Sequence, residues 1–144
     1  MIVTSESALR VECEDVTNGT EARELRAQLL SELNASARRG QPGLGLACPQ
    51  IGIAKRMAVV RLKTGVMVDL VNCRIKEAYD KKLFENEGCL SFPGRFENTI
   101  RYREVYVVDN LVEPYSFIAT GLLAVVIQHE LDHLTGILLP DVEI

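Results

Sequence analysis

The sequence has no run of about 18 consecutive apolar residues, the length a membrane-spanning helix requires, which excludes a chain built on such helices. Met1 to Glu6 show no basic segment followed by an apolar one, so no secretory signal is expected and the cytoplasm is the expected location. Basic residues are the minority, 16 against 20 acidic ones, and the net charge of -4 provides no broad positive field for DNA. Proline and glycine are not in excess, and there is no repeat or low-complexity run, which removes fibrous, solenoid and disordered classes. What remains is a 47% hydrophobic, 25% charged chain of 144 residues, the profile of one globular domain over residues 1–144. Its four cysteines, Cys13, Cys48, Cys73 and Cys89, are scattered without a disulfide-like spacing, so free thiols or metal ligands are expected.

Ala22, Leu25, Leu29, Leu33 and Ala37 recur at helical spacing between Thr20 and Gly40, with acidic residues in the first turn and Arg38 and Arg39 in the last. This predicts an amphipathic helix packed on a sheet. The segment Gly43–Gly52, GLGLACPQIG, has three glycines and no helical period, which predicts a tight, shaped loop. Met57–Leu62 and Val66–Val71 are rich in β-branched residues and read as a hairpin, and Glu104–Asp109 with Tyr115–Ala119 as a second antiparallel pair. A final helix, capped by Thr120, runs through an apolar stretch and ends near Gly136. The expected class is therefore α+β, with mostly antiparallel sheets packed around a central helix.

That helix carries Gln128, His129, Glu130, Asp132 and His133 directly after residues that are apolar on every side. Burying such a cluster unpaired costs several kcal/mol. His129 and His133 stand four apart, which on a helix puts both imidazoles on one face, about 6 Å apart at Cβ and able to share an ion. Glu130 is offset from that face and reaches water beside the ion rather than the ion itself. The two are the only histidines in the chain. A third histidine of the metzincin type is absent, since its place is Leu139, and too little chain follows His133 to supply a carboxylate from a later helix. The third ligand thus comes from upstream, from a carboxylate or one of the four thiols. Cys89, in the Gly- and Pro-bracketed segment ENEGCLSFPG, is the favoured thiol, with Cys48 in the glycine loop as its competitor.

Taken together, GLGLACPQIG at 43–52, EGCLS at 87–91 and HELDH at 129–133 resemble, in order and spacing, the three signature motifs of peptide deformylases. The resemblance also takes in Arg101 and extends over almost the whole chain. It implies a peptide deformylase-like fold and a metallohydrolase that removes the formyl group from N-terminal formylmethionine of newly made polypeptides, releasing formate. It implies one divalent ion on Cys89, His129 and His133, Fe(II) in the first place, with Zn, Ni or Co able to substitute. Glu130 is then the proton carrier, and the Gln50 side-chain amide and the Leu90 backbone N–H are the oxyanion donors. Gly43 and Gly45 border the substrate backbone, Leu122, Val125 and Val126 wall a slot for the methionine side chain, and Glu87 with Arg101 form a supporting ion pair. Asp132 is left open between orienting a ligand and facing solvent. The expected partner is the formylated peptide emerging from the ribosome, possible ribosome contact included, with a monomer expected and no membrane. The sequence resembles a short form without a C-terminal helix beyond the metal-bearing one.

Overall fold

The computed structural model describes residues 1–144. A short helix α1 (Glu6–Leu9) precedes the long helix α2 (Gly19–Arg38). Strands β1 (Gly45–Ala47), β2 (Met57–Arg61) and β3 (Met67–Val71) form one antiparallel sheet, with a 3-10 turn at Cys48–Ile51 after β1. Strands β4 (Arg74–Gly88), β5 (Phe96–Val108) and β6 (Phe117–Thr120) form a second, followed by α3 (Gly121–His133) and the short α4 (Leu139–Val142).

Helix α2 starts earlier than the apolar stripe suggests, because the Asn18 side chain accepts the Glu21 N–H at 3.0 Å while Glu21 Oε1 accepts the Thr17 N–H at 2.8 Å. Ala22, Leu25, Leu29 and Leu33 are buried as expected, but the last inward place belongs to Ser36 rather than Ala37. At about 100° per residue, position 36 lies closer to the axis of the stripe than position 37. Ser36 meets the need of a buried hydroxyl by donating to Gln41 O at 2.7 Å. Leu29 and Leu33 are fully buried, each contributing on the order of 2 kcal/mol of apolar transfer.

Strand β2 shows how the layers stack. Met57 and Val59 pack with the α2 leucines, while Ala58 and Val60 pack with Ala124, Val126 and Ile127 of α3. Both faces of this strand are thus covered, which explains its unbroken apolar run. Helix α3 lies between the sheets, touching β1 and β2 on one side and β5 and β6 on the other. Thr120 sits at its N-cap with extended backbone, but its side chain makes no capping hydrogen bond.

The expected pairing of the segments around 104–109 and 115–119 is present as β5 with β6, in the register Val105↔Ala119. The segment read as a loop contains β1, and the polar stretch before Cys89 is the 15-residue strand β4, paired along β5. One irregularity in this hairpin matters for the site. Phe84 pairs with Thr99, but Glu87 pairs with Glu97, so the register slips by one residue across Glu85 and Asn86. Strict alternation from Phe84 would turn Asn86 inward. The bulge, with Asn86 at φ 58°, turns Glu87 inward instead.

Candidate metal centre

Each side chain of the centre is placed by a different element. His129 and His133 project from one face of α3, with ring centroids 5.1 Å apart and planes inclined at 66°. Cys89 follows the last residue of β4, at the start of a turn closed by Phe92 N–H to Cys89 O at 3.0 Å. Its Sγ lies 3.4 Å from His133 Nε2. One donor atom from each of Cys89, His129 and His133 lies within 4.8 Å of the others, close enough to share one ion. Cys48, the competing thiol, is fully buried in the α2 core and its burial pushes its pKa up to about 12. Cys73 is likewise buried, at about 11. Neither belongs to the donor set.

Glu87, brought inward by the bulge, organises the centre from behind. Its Oε2 meets His129 Nδ1 at 2.7 Å, which turns His129 Nε2 towards Cys89 and His133. Arg101 grips the same carboxylate with two bonds, Nε to Oε1 at 2.8 Å and Nη2 to Oε2 at 2.6 Å, and Thr99 Oγ1 adds a third donor at 2.8 Å. Arg101 Nη1 then reaches Asp132 Oδ2 at 2.7 Å. Asp132 therefore faces neither a ligand nor bulk water alone; it anchors the arginine. Glu87 and Arg101 are both only 5% exposed, so their ion pair is buried.

The charges follow from this packing. Burial alone would raise Glu87, yet bonds from Arg101 and His129 outweigh it and hold the carboxyl at about 2. Burial works against a charged His129 as well, but its bonds to Cys89 and Glu87 raise it well above the usual imidazole range. A positive charge between Cys89 and Glu87 is thus favoured, where an ion would bring one. Burial and the repulsion of His129 keep His133 neutral, down at about 3, the form in which imidazole is a ligand. Burial pushes Glu130 up to about 7, against the pull of His129. A carboxylate poised near neutrality suits proton transfer in both directions. Its Oε1 is buried with no hydrogen-bond partner in the chain.

The glycines of the 43–52 segment act through close approach. A Cβ on Gly45 would stand 2.6 Å from Glu130 Oε2, and one on Gly43 2.7 Å from Leu90 Cδ1. Gln50, 1% exposed, is oriented by the Ala47 N–H, which its Oε1 accepts at 3.0 Å. Its Nε2 consequently points at the centre, 3.6 Å from Cys89 Sγ, and donates to Ser91 Oγ at 3.1 Å. The Leu90 N–H has no acceptor within the chain. Leu122, Val125 and Val126 line the same cleft of about 500 Å³ as His129, Glu130, Gln50 and Cys89. Leu122 is 45% exposed, so it forms the mouth of this wall rather than its floor.

Two supporting residues escape sequence reasoning, as does the role of a third. Thr99 and Ser91 carry no local signal. Gln128 does stand out as an amide in an apolar helix, and it clamps α3 to β5: its Oε1 accepts Tyr102 N–H at 2.9 Å and its Nε2 donates to Tyr102 O at 2.7 Å. The last β5–β6 pair is Glu104 with Thr120, so the amide takes over the edge of β5 where β6 ends.

The fold and the donor set define an α+β protein in which a buried helix and the turn after β4 bring together three side chains able to hold one metal ion. The family model of polypeptide deformylase matches residues 1–142. Peptide deformylase 1 of Pseudomonas syringae pv. tomato is 43% identical over 105 residues, covering 69% of this chain. The chain spans 62% of the length of that curated relative. The crystal structure of a peptide deformylase from Synechococcus elongatus in complex with actinonin superposes with a TM-score of 0.86 at 32% identity, covering 100% of this chain and 78% of that one. A probable peptide deformylase from Synechococcus phage S-SSM7 gives 0.83 at 35% identity, covering 99% and 98%. The chain belongs to the polypeptide deformylase family.

Proposed function

We propose that residues 1–144 act as one catalytic domain, a metallohydrolase that removes the N-formyl group from the N-terminal formylmethionine of newly synthesised polypeptides and releases formate. The observation that carries this reading is the meeting of a Cys–His–His donor set with a buried, unpartnered Glu130 oxygen in one cleft of a deformylase-family chain.

Cys89 Sγ, His129 Nε2 and a nitrogen of His133 are the proposed ligands, and one thiolate with two imidazoles suits iron, zinc, nickel or cobalt alike. Fe(II) is the proposed resident ion on the family resemblance. When bound, such an ion supplies Lewis acidity, bringing the pKa of water towards neutrality and polarising the formyl oxygen. Glu130 takes the proton of the attacking water and delivers it to the peptide nitrogen as the C–N bond breaks, so formate and a free amine leave. Gln50 Nε2 and the Leu90 N–H donate to the oxygen that becomes negative, each worth about 3 kcal/mol in such a role. Gly43 and Gly45 let the substrate backbone lie against the strand without meeting a side chain, and Leu122, Val125 and Val126 receive the methionine side chain. Glu87 and Arg101 hold His129 in register. Glu130 and its neighbours thus separate acid–base work from metal holding.

The proposed setting is cytoplasmic, on peptides leaving the ribosome, as a monomer; four unpaired cysteines suit a reducing compartment. No helix is long and apolar enough to cross a membrane. The test is the metal-loaded protein mixed with a formyl-methionyl peptide. Stoichiometric formate with all internal peptide bonds intact is expected, and internal cleavage, or no formate, would overturn the reading.

A further inference from the structure

A second groove, of about 430 Å³, opens beside the active-site cleft and shares Pro42, Gly43 and Leu44 with it. Its far wall comes from the β2–β3 hairpin and includes Arg61 and Lys63. Neither cation has a carboxylate partner. The single acidic residue of that hairpin, Asp69, is engaged by Arg26 of α2 at 2.8 Å. The position of this wall is fixed by backbone pairing that extends past β1, since the Arg61 N–H donates to Leu44 O at 2.7 Å. In a chain of net charge -4, two unpaired cations on one groove make a local field of the opposite sign.

The order of residues along the strand gives the groove a direction relative to the chemistry. Gly45 abuts Glu130, and Pro42 lies three residues earlier. An extended chain rises about 3.3 Å per residue, so a peptide whose formyl group sits at Glu130 and which lies along 45 to 42 runs beside the second groove from its Leu44 end and reaches its Pro42 end about 10 Å further on. We infer that Arg61 and Lys63 form an anion-selecting extension of the cleft that receives acidic side chains at roughly the third to fifth residues of the polypeptide substrate. This rests on the deformylase reading above and assigns a selectivity that the reading does not contain. The two cations act on binding rather than on the reacting atoms, because Glu130, Gln50 and the donor set line the other cleft and not this groove.

The experiment compares formyl-methionyl peptides carrying glutamate or lysine at residues three to five, on the wild type and on Arg61→Gln/Lys63→Gln. Binding of the matching unformylated peptides, followed by fluorescence anisotropy, reports the groove without turnover. Wild type should favour the glutamate peptide about three- to tenfold in kcat/KM and in affinity, with kcat unchanged, and 0.5 M salt, roughly a 4 Å Debye length, should erase the preference. The double variant should lose the preference while keeping kcat. Equal binding of both peptides by wild type, or a preference that survives in the double variant, overturns the inference. Absent formate release with the binding preference intact would instead overturn the deformylase reading alone.

Discussion

Glu87 Oε2 and His129 Nδ1 are 2.7 Å apart, and the carboxylate that makes this bond also receives two from Arg101. One buried acid thus fixes the ring of a candidate ligand and the position of a cation that reaches back to α3 through Asp132. Glu87→Ala should lower metal affinity by about 10- to 100-fold, measured by competition with a chromogenic chelator. The metal-free variant should also melt earlier, because Arg101 is left buried without its main partner. Unchanged affinity would separate the pair from the centre.

The thiols give a comparison internal to one chain. Cys89 belongs to the donor set, whereas Cys48 and Cys73 are buried in the two apolar clusters with pKa values pushed to about 12 and about 11. Cys89→Ser should lose bound metal, while Cys48→Ser and Cys73→Ser should retain one ion per chain by elemental analysis. Full occupancy in Cys89→Ser together with loss in Cys48→Ser would move the third ligand to the glycine-rich segment.

Gln128 predicts a stability effect with no ligand involved. Gln128→Leu keeps the helix but strands both the N–H and the C=O of Tyr102, at about 1 to 3 kcal/mol for each group left dry. Thermal unfolding of the metal-free protein should show a loss of about 2 to 6 kcal/mol. A melting temperature within a degree of wild type would show that water replaces the amide without cost.

The other end of the chain is tied by Arg10, whose Nη1 and Nη2 each meet Asp141 at 2.8 Å. This pairing, with the Leu138 N–H, lowers the Asp141 carboxyl to about 2 from an ordinary 3.8. A depressed acid stabilises the fold above its unfolded pKa, and the contribution disappears as pH falls from there through about 2. Chemical denaturation of Asp141→Asn between pH 2 and pH 6 should therefore approach wild type as the pH drops, with the gap widest above pH 4. Both side chains are partly exposed, so that gap should be small and shrink with salt. A gap that grows on acidification would contradict the assignment.

How far the sequence speaks depends on the distance over which each feature is encoded. His129, Glu130 and His133 are legible because one helical turn relates them, and α2 because its leucines repeat. The strand β4 is not, since most of its residues are exposed and neither an apolar run nor alternation marks it. The inward turn of Glu87 is less legible still. It depends on a one-residue slip against β5, and pairing partners 14 positions away, as with Arg101, leave no local pattern. Asp132 was undecidable in the sequence for the same reason: its partner belongs to another element. Gln128 announces itself as misplaced in an apolar helix, but only the end of β6 explains what it does there.

The central claim is that Cys89, His129 and His133 hold an ion while Glu130 moves the proton. The most direct measurement is formate release by Glu130→Ala, with bound metal quantified in the same sample. Glu130 is not in the donor set and its Oε1 bonds to nothing in the chain, so the variant should fold and retain one ion per chain. Turnover should fall by roughly a thousandfold or more, the upper range for removing an acid–base group. A fully metal-loaded Glu130→Ala protein that still releases formate at a rate near wild type would contradict the account.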